Sequence, residues 1–460
     1  MLKRKIDDVL LNWKKGEERL PLIVKGARQI GKTFSIRRFG QTSYKRFIEV
    51  NFILQRQFRD IFNDGFEVDS ILRNMTLHDP TLSFDAGETL IFFDEIQACP
   101  DCATSLKSFK LDGRFDVICS GSLMGLNYSQ IESNSVGYKQ DYLMQSLDFE
   151  EFLWAKGYKD EIIEDMYASM VEVRPLSKVL LEVMAENFRE YMVLGGMPSV
   201  IDSFIEKRNF SGALAIQRQL LLDYEEDITK YALGLDHGKI LSVYRKIPVF
   251  LGKENKKFQI TKVAHGARLR EYEGVVDWLK DAGIVNVCHC LSEPKLPLKG
   301  NYRPDVFKLY FADTGLLIAS LDDEAQDDLR NNRNFNTYKG AIYENAIGEA
   351  LSKQGYGLYF YRNEKSTLEI DFLLRDASSL VPVEVKANDG PTASLNKLID
   401  SPLFEDVEYG IKLGNKNIGW NGRFFTFPYF LSFLLKRFLK QGQSVYNRLE
   451  DGLWIATKNR

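Results

Sequence analysis

The hydrophobic pattern of the first third of the chain predicts short strands separated by helices. Apolar runs occupy residues 22–25, 46–52, 89–95 and 115–119, and helix-compatible stretches at 34–39 and 55–75 separate the first three. The run at 89–95 is continuous, as expected for a strand buried on both faces of a parallel sheet. We therefore predict an α/β sandwich and assign residues 1–148 to it.

A helical period replaces this alternation after residue 148. Leu180, Leu181, Met184 and Phe188 have helix-like apolar spacing, and Pro198 indicates a break between two helices. We predict a helical lid over residues 149–237.

The stretch 238–325 combines short helices with two strands. Thr261 is typical of a helix N-cap, residues 271–281 carry apolar residues on one helical face, and residues 284–290 and 307–311 are predicted strands. This order predicts a winged helix-turn-helix. Its basic residues are offset by acidic ones, so packing against protein remains an alternative to DNA binding: Arg268, Arg270 and Lys280 against Glu271, Glu273, Asp277 and Asp281.

The last part of the chain, residues 326–460, is predicted to be a second α/β domain with a C-terminal helix. A helix at 343–351 precedes strands at 358–361, 368–374 and 381–386, and a Phe-rich helix is predicted at 429–439.

Charge and cysteine content exclude several classes of protein. The 61 basic and 64 acidic residues give a net charge of −3, so no global field attracts the chain to nucleic acid or anionic membrane. The five cysteines, an odd number, fit reduced thiols in a cytoplasm and complete no zinc motif. The apolar segments at 9–11 and 424–435 are too short for a signal sequence or a membrane span. We expect a soluble, cytoplasmic protein without a membrane partner.

The strand at 22–25 runs directly into the sequence GARQIGKT, which is a complete P-loop. Its glycines let the backbone N–H groups turn toward phosphate oxygens, Lys32 would reach the β- and γ-phosphates, and the Thr33 hydroxyl would bind Mg²⁺. The helix that follows adds a partial positive charge. The predicted nucleotide-binding residues are Gly26, Ala27, Arg28, Gln29, Ile30, Gly31, Lys32, Thr33 and Phe34.

Two carboxylates end the apolar strand at 89–95, where an open α/β sheet places ligands. Asp94 is the predicted partner of Mg²⁺, and Glu95 is predicted to orient and polarise the attacking water. Ser120 and Ser122 end the next strand, and a hydroxyl there would sense the γ-phosphate. Ser122 is our candidate for that role.

Separate motifs give a family resemblance that covers nearly the whole chain. GARQIGKT at 26–33, FDEIQ at 93–97, SGS at 120–122, DFEEFL at 148–153 and LGGMP at 194–198 together resemble the AAA+ ATPases of bacteria and archaea. The resemblance implies an AAA+ fold with a helical lid, hydrolysis of ATP, and a winged helix in the C-terminal half. One departure is Gly137-Tyr138-Lys139, where this family usually has a Gly-Arg pair; Lys139 would replace that arginine only as a point charge.

A third set of residues lies in the last predicted domain. Asp371 interrupts an apolar strand, where its charge needs a metal or a cation nearby. Glu344 on the helix, Asp371, and Glu384 with Lys386 on one strand face resemble the restriction-endonuclease-like nuclease core. That resemblance implies that the three carboxylates bind Mg²⁺ and that Lys386 activates water. A buried ion-pair network is the alternative.

Three functions are compatible with these patterns. The first is an ATPase that couples Mg-ATP to DNA-related winged-helix and nuclease-like modules. The second is a Mg²⁺-dependent DNA nuclease regulated by ATP, and the third is an ATP-gated switch that binds proteins and does not cleave DNA. The partners to distinguish, besides ATP, are DNA, a second copy of the chain and another protein.

Overall fold

The computed structural model describes residues 2–122, 135–232, 236–253, 256–259, 262–263, 271–272, 274–321, 324–331, 333, 336–365, 367–386 and 392–458. It divides into two compact units, Met1–Ser146 with Asp281–Gly283, and Leu147–Lys280 with Ile284–Arg460. None of the helices in the described ranges combines the length and the hydropathy that crossing a membrane requires. The predicted helix start at 260–261, as well as Arg268, Arg270 and Glu273, lies outside the described residues.

The first unit is a parallel five-stranded sheet in the order β2-β3-β4-β1-β5, flanked by helices. Its elements are α1 (Lys5–Lys15), β1 (Leu22–Gly26), α2 (Lys32–Ser43), β2 (Arg46–Asn51), α3 (Val68–His78), β3 (Thr89–Asp94), α4 (Asp101–Asp112), β4 (Asp116–Ser122) and β5 (Gln140–Leu143). The predicted α/β fold with a parallel sheet is confirmed for this unit. The edge strand β5 was not predicted.

Strand β3 is buried along its whole length, as its apolar run predicts. Ile91 and Phe93 join one core cluster with residues of α3 and α4. Phe92 lies on the opposite face, where its ring stacks on Phe47 at 6.1 Å between centroids. Phe47 in turn packs against Gly40 of α2, where a Cβ atom would lie 2.1 Å from the ring. Both faces of the sheet are therefore covered by helices.

The strand register brings the polar strand ends together at one edge of this sheet. Gly26 is the register partner of Ser122, and Asn51 is the partner of Asp94. Because all five strands are parallel, these residues lie at the carboxyl edge, where open α/β sheets bind ligands.

The second unit begins with helices and continues with two mixed sheets. Its helices are α5 (Phe149–Ala155), α6 (Asp160–Glu172), α7 (Lys178–Leu194), α8 (Pro198–Lys207), α9 (Phe210–Tyr231), α10 (His237–Leu251), α11 (Val275–Asp281), α12 (Thr314–Ala319), α13 (Ala325–Arg330), α14 (Asn336–Lys353), α15 (Ala393–Ile399) and α16 (Leu435–Lys458). Its strands are β6 (Val285–Leu291), β7 (Tyr302–Phe311), β8 (Leu358–Arg362), β9 (Glu369–Ile370), β10 (Phe372–Arg375), β11 (Leu380–Val385), β12 (Gly410–Gly414), β13 (Gly419–Trp420) and β14 (Phe424–Pro428).

The two strands that were predicted as a wing do not form a separate two-stranded ribbon. They pair antiparallel, as β6 and β7, but β6 also pairs parallel with β8, and the sheet order is β7-β6-β8-β9. This sheet joins residues from both sides of the predicted limit at 325. Since β6 and β8 lie far apart in sequence, the local pattern could not reveal their pairing.

The elements predicted for the last domain are present with small shifts. The predicted helix lies inside α14, and the three predicted strands correspond to β8, to β9 with β10, and to β11. A second sheet has the order β10-β11-β12-β14-β13. The Phe-rich segment begins as a 3₁₀ helix, Tyr429–Leu434, before α16 starts.

The double glycine that was predicted to separate two helices has a packing role. A Cβ atom on Gly195 would lie 2.0 Å from Oδ1 of Asp313, and one on Gly196 would lie 2.0 Å from the carbonyl oxygen of Leu147. The Gly196 N–H donates to Oδ2 of Asp313 at 2.8 Å. Glycine is thus required here by close backbone approach.

Candidate functional site

The P-loop adopts the curled backbone that its glycines predict. Gly31, the N-cap of α2, has a left-handed conformation with φ of +91°, and Gln29 also has a positive φ of +61°. A Cβ atom on Gly26 would lie 2.3 Å from the carbonyl oxygen of Met144, so no larger residue fits there. The loop therefore opens directly into the N-terminus of α2.

The Lys32 ammonium lies across this loop. Its Nζ donates to the carbonyl oxygens of Gly26 at 3.1 Å and Ala27 at 2.7 Å. Burial lowers the pKa of Lys32 to about 8, although the carboxylates of Glu95 and Asp94 oppose that shift. Both of these hydrogen bonds go to neutral carbonyls, so the ammonium would gain from an anionic ligand such as phosphate.

Thr33 and Asp94 meet at the carboxyl edge of the sheet. The Thr33 hydroxyl donates to both carboxylate oxygens of Asp94, at 3.2 Å and 3.1 Å. Asp94 is 3% exposed, and burial raises the pKa of its carboxyl group. A hydroxyl and a carboxylate are the hard oxygen donors that Mg²⁺ prefers, so this pair fits a magnesium ion.

Two neighbouring side chains hold the Asp94 carboxylate: Asn51, which we did not predict as a site residue, and Ser120, which we considered with Ser122 as a sensor of the γ-phosphate. Asn51 Nδ2 donates to Oδ2 of Asp94 at 3.0 Å, and the Ser120 hydroxyl donates to Oδ1. Oδ1 of Asn51 accepts from the N–H groups of Ile53 at 3.0 Å and Leu54 at 2.9 Å, which fixes the orientation of its amide. The sequence signal that could have identified Asn51 was the position of a polar residue at the end of strand β2.

Glu95 and Ser122 lie at the ends of β3 and β4. Glu95 has a left-handed backbone, with φ of +58°, and its carboxylate accepts from the Gln97 amide. The Ser122 hydroxyl is buried and has no hydrogen-bond partner among the described residues. Strand β4, which ends in Ser122, is the neighbour of the P-loop strand β1, and β3, which ends before Glu95, is the neighbour of β4. The catalytic roles of Glu95 and Ser122 remain predictions.

Other residues brace the loop or stand apart from it. The Arg4 guanidinium donates to the carbonyl oxygen of Ile30 at 2.9 Å and to that of Gln145 at 2.7 Å, a support that the sequence did not indicate. Phe34 is 52% exposed. Lys139 pairs with Asp141 at 3.0 Å in the same unit, so its ammonium is engaged by an internal carboxylate.

The predicted nuclease-like residues of the second unit lie in charged surroundings. Glu344, on α14, is 2% exposed and contacts the ammonium groups of Lys256 and Lys308. Burial alone would raise the pKa of Glu344, but these two cations lower it to about 2. Asp371 accepts from the N–H of Val385 at 2.8 Å, and burial together with Glu344 raises its pKa to about 7.

Glu384 on β11 pairs with Lys386, which directly follows that strand, with Nζ and Oε1 2.7 Å apart. Glu384 is buried, and burial raises its pKa although Lys386 opposes the shift. Its register partner on β12 is Lys412. Within the described ranges no group of three or more His, Cys, Asp and Glu side chains is arranged to hold a metal. Metal binding by Glu344, Asp371 and Glu384 therefore stays a prediction.

Three family models match separate parts of the chain. Residues 18–153 match the AAA domain family, residues 185–327 match a domain of unknown function (DUF8612), and residues 339–430 match another (DUF4143). The first match supports an AAA+ ATPase family for the P-loop domain. No curated protein matches the chain.

Solved structures give distant likenesses. The chain is similar to the Walker-type ATPase PABY2304 of Pyrococcus abyssi, with a TM-score of 0.42 and 14% identity, over 70% of this chain and 96% of that one. It is also similar to Aeropyrum pernix ORC1 in complex with DNA (TM-score 0.27, 13% identity, 72% and 91% covered). AMPPCP-bound DnaA from Aquifex aeolicus gives a TM-score of 0.26 at 14% identity, over 59% and 85%. At these TM-scores, the likenesses do not indicate the function of this chain.

Proposed function

We propose that the first unit binds Mg-ATP at the P-loop and hydrolyses it. The observation that carries this proposal is the contact between the Thr33 hydroxyl and Asp94, next to a buried Lys32 whose partners are backbone carbonyls. These are the groups that P-loop ATPases need for magnesium and for the β- and γ-phosphates. The AAA domain match over residues 18–153 agrees with it.

Each side chain has a separate task in this proposal. Lys32 leaves the two loop carbonyls and binds the β- and γ-phosphates, where its charge stabilises the transition state. Thr33 and Asp94 would hold Mg²⁺, which neutralises phosphate charge when it is bound. The backbone N–H groups of the P-loop cradle the phosphates.

Glu95 orients the attacking water and accepts its proton. The Gln97 amide donates to the Glu95 carboxylate and limits its rotation. Ser122, with a buried hydroxyl and no partner among the described residues, donates to the γ-phosphate or to the water. Loss of the γ-phosphate then removes a contact at the end of β4, which is how a nucleotide state is sensed.

The finer proposal is that this cycle acts on DNA through the second unit. It rests on the helix and strand patterns of residues 238–325 and 326–460. One observation favours the version without DNA cleavage: both oxygens of Glu344 already accept from lysines. The second unit is therefore proposed as an ATP-controlled binding module, with a protein partner as the alternative to DNA.

The experiment measures ATP binding and phosphate release by the full chain in Mg²⁺ and in EDTA. It is repeated with linear, branched and single-stranded DNA. We expect phosphate release that EDTA abolishes, and a change in its rate with at least one DNA. Release that persists in EDTA would contradict the site, whereas a rate unaffected by every DNA would direct the search to a protein partner.

A further inference from the structure

The buried carboxylate Glu344 is surrounded by three donors from two parts of the second unit, strand β7 and the segment after α10. Its Oε1 accepts from Lys308 Nζ at 2.9 Å and from the Tyr310 hydroxyl at 2.5 Å. Its Oε2 accepts from Lys256 Nζ. Both oxygens are thus engaged by cations, with a neutral hydroxyl as the third donor.

The Lys308 ammonium, like the Glu344 carboxylate, has several charged or polar partners. Its side chain is 1% exposed, and its ammonium contacts Glu344 at 2.9 Å and Glu369 at 3.0 Å. The ammonium also lies 4.7 Å from the centroid of the Phe360 ring, at a cation–π distance. A fully buried ammonium needs such partners, and the neighbouring carboxylates raise the pKa of Lys308, so it stays charged.

The charges of this cluster balance without a metal. Glu344, Glu369 and Asp371 supply three carboxylates, while Lys256 and Lys308 supply two ammonium groups. A third cation is Arg362, whose guanidinium lies 3.5 Å from Glu369. Asp371, which the sequence predicts to need a metal or a cation nearby, is within the electrostatic reach of Lys256 and Lys308.

We propose that the Glu344 cluster is an ion-pair core in which Lys256 and Lys308 occupy the place of a divalent metal, so that the second unit does not cleave phosphodiesters. A metal ion would have to displace an ammonium group from each oxygen that it took, which breaks an ion pair at a buried carboxylate. This inference is independent of ATP hydrolysis in the first unit.

Glu384, another carboxylate that was predicted to bind a metal, has cationic neighbours different from those of Glu344. Glu384 pairs with Lys386 at 2.7 Å and faces Lys412 across the β11–β12 register. Glu384 is therefore paired with cations that do not belong to the cluster around Glu344. Glu344 and Glu384 thus each contact a lysine ammonium, whereas Asp371 accepts from the N–H of Val385.

The test is a Mn²⁺ titration of the full chain without nucleotide, read by the electron paramagnetic resonance of free Mn²⁺. All proteins carry Asp94→Asn, so that metal at the P-loop does not contribute. We compare this background with added Glu344→Gln, and with Glu364→Gln as a matched control at an exposed glutamate of the same unit. We expect that the background protein shows no saturable Mn²⁺ binding that is lost when Glu344→Gln is added.

The opposite result would overturn the proposal. That result is one Mn²⁺ equivalent bound by the background protein, with affinity falling about tenfold or more in Glu344→Gln, the loss expected for a ligand or its close support.

Thermal unfolding gives a readout that does not depend on metal binding being detected. We expect the melting temperature of the Asp94→Asn protein to be the same in Mg²⁺ and in EDTA. Lys256→Met, which removes a partly exposed cation and leaves Lys308 in place, should lower it in both solutions. A Mg²⁺-dependent rise in melting temperature that Glu344→Gln abolishes would also overturn the proposal.

Discussion

The Thr33 hydroxyl lies 3.1 Å from Oδ2 of Asp94, although the two residues are 61 positions apart in the chain. One belongs to the first turn of α2 and the other ends β3, so the contact exists because α2 begins and β3 ends at the carboxyl edge of the sheet. A magnesium ion bound there would find its hydroxyl and its carboxylate already adjacent. The predictions that follow test this arrangement.

Replacing Glu95 should separate binding from chemistry. In Glu95→Gln the side chain keeps its size but no longer accepts a proton from water, so ATP affinity should stay near the wild-type value. Phosphate release in a single turnover should slow by about 100-fold or more, the usual contribution of a general base. Equal rates of release in the variant and the wild type would remove Glu95 from the mechanism.

Asn51 should affect magnesium dependence more than nucleotide affinity. Asn51→Ala deletes the 3.0 Å hydrogen bond to Asp94, and outer-shell partners of this kind typically change metal affinity by about tenfold. The Mg²⁺ concentration for half-maximal ATPase rate should rise accordingly. Asn74→Ala is the control, since Asn74 bonds to Ile61 and Asp64. The same Mg²⁺ requirement in both variants would contradict the positioning role.

The lowered pKa of Lys32 predicts a pH-dependent affinity for ATP. Burial sets this pKa to about 8 in the free protein, and a bound phosphate would raise it. Affinity should therefore be constant below pH 8 and fall above it, by at most about tenfold per pH unit for one proton. Isothermal titration calorimetry across this range measures it. In Lys32→Arg the guanidinium stays charged, so any remaining affinity should not follow this profile.

Nucleic acid should survive incubation with the protein. Because the oxygens of Glu344 are engaged by Lys256 and Lys308, we expect Mg²⁺, with or without ATP, to support no cleavage of linear, branched or single-stranded DNA. Gel electrophoresis of labelled DNA measures it. Cleavage that disappears in Asp371→Ala would instead support the nuclease alternative.

The hydrophobic pattern and the P-loop motif predicted the first unit well, because each of its predicted strands and the P-loop consists of contiguous residues. The continuous apolar run predicted β3, and the glycine spacing predicted the curled backbone of the P-loop, in which Gly31 is left-handed. The support of Asp94 by Asn51 was not predicted, because it depends on the neighbouring position of β2 and β3 in the sheet. Sequence order alone does not show which strands become neighbours.

The second unit shows the same limit more strongly. The strands β6 to β11 were predicted with shifted bounds, whereas β12, β13 and β14 were not predicted. The pairing of β6 with β8 joins regions that we had assigned to different domains. The sequence predicted that Asp371 needs a metal or a cation nearby. It did not show that burial and Glu344 raise the pKa of Asp371, a shift that Lys308 and Lys256 oppose. Those lysines lie on segments with no distinctive motif, so only the fold reveals their role.

The most direct test of the account is phosphate release by Lys32→Ala, compared with the wild type and with Lys45→Ala. Lys45 is an exposed lysine of the same unit that pairs with Glu88, so its loss controls for a general change of charge. Loss of a charged hydrogen bond, about 1.5–3 kcal/mol, should weaken ATP binding by roughly tenfold to a hundredfold, with phosphate release lost at low ATP. Lys45→Ala should behave as the wild type. Phosphate release by a folded Lys32→Ala protein at the wild-type rate would contradict the proposed site.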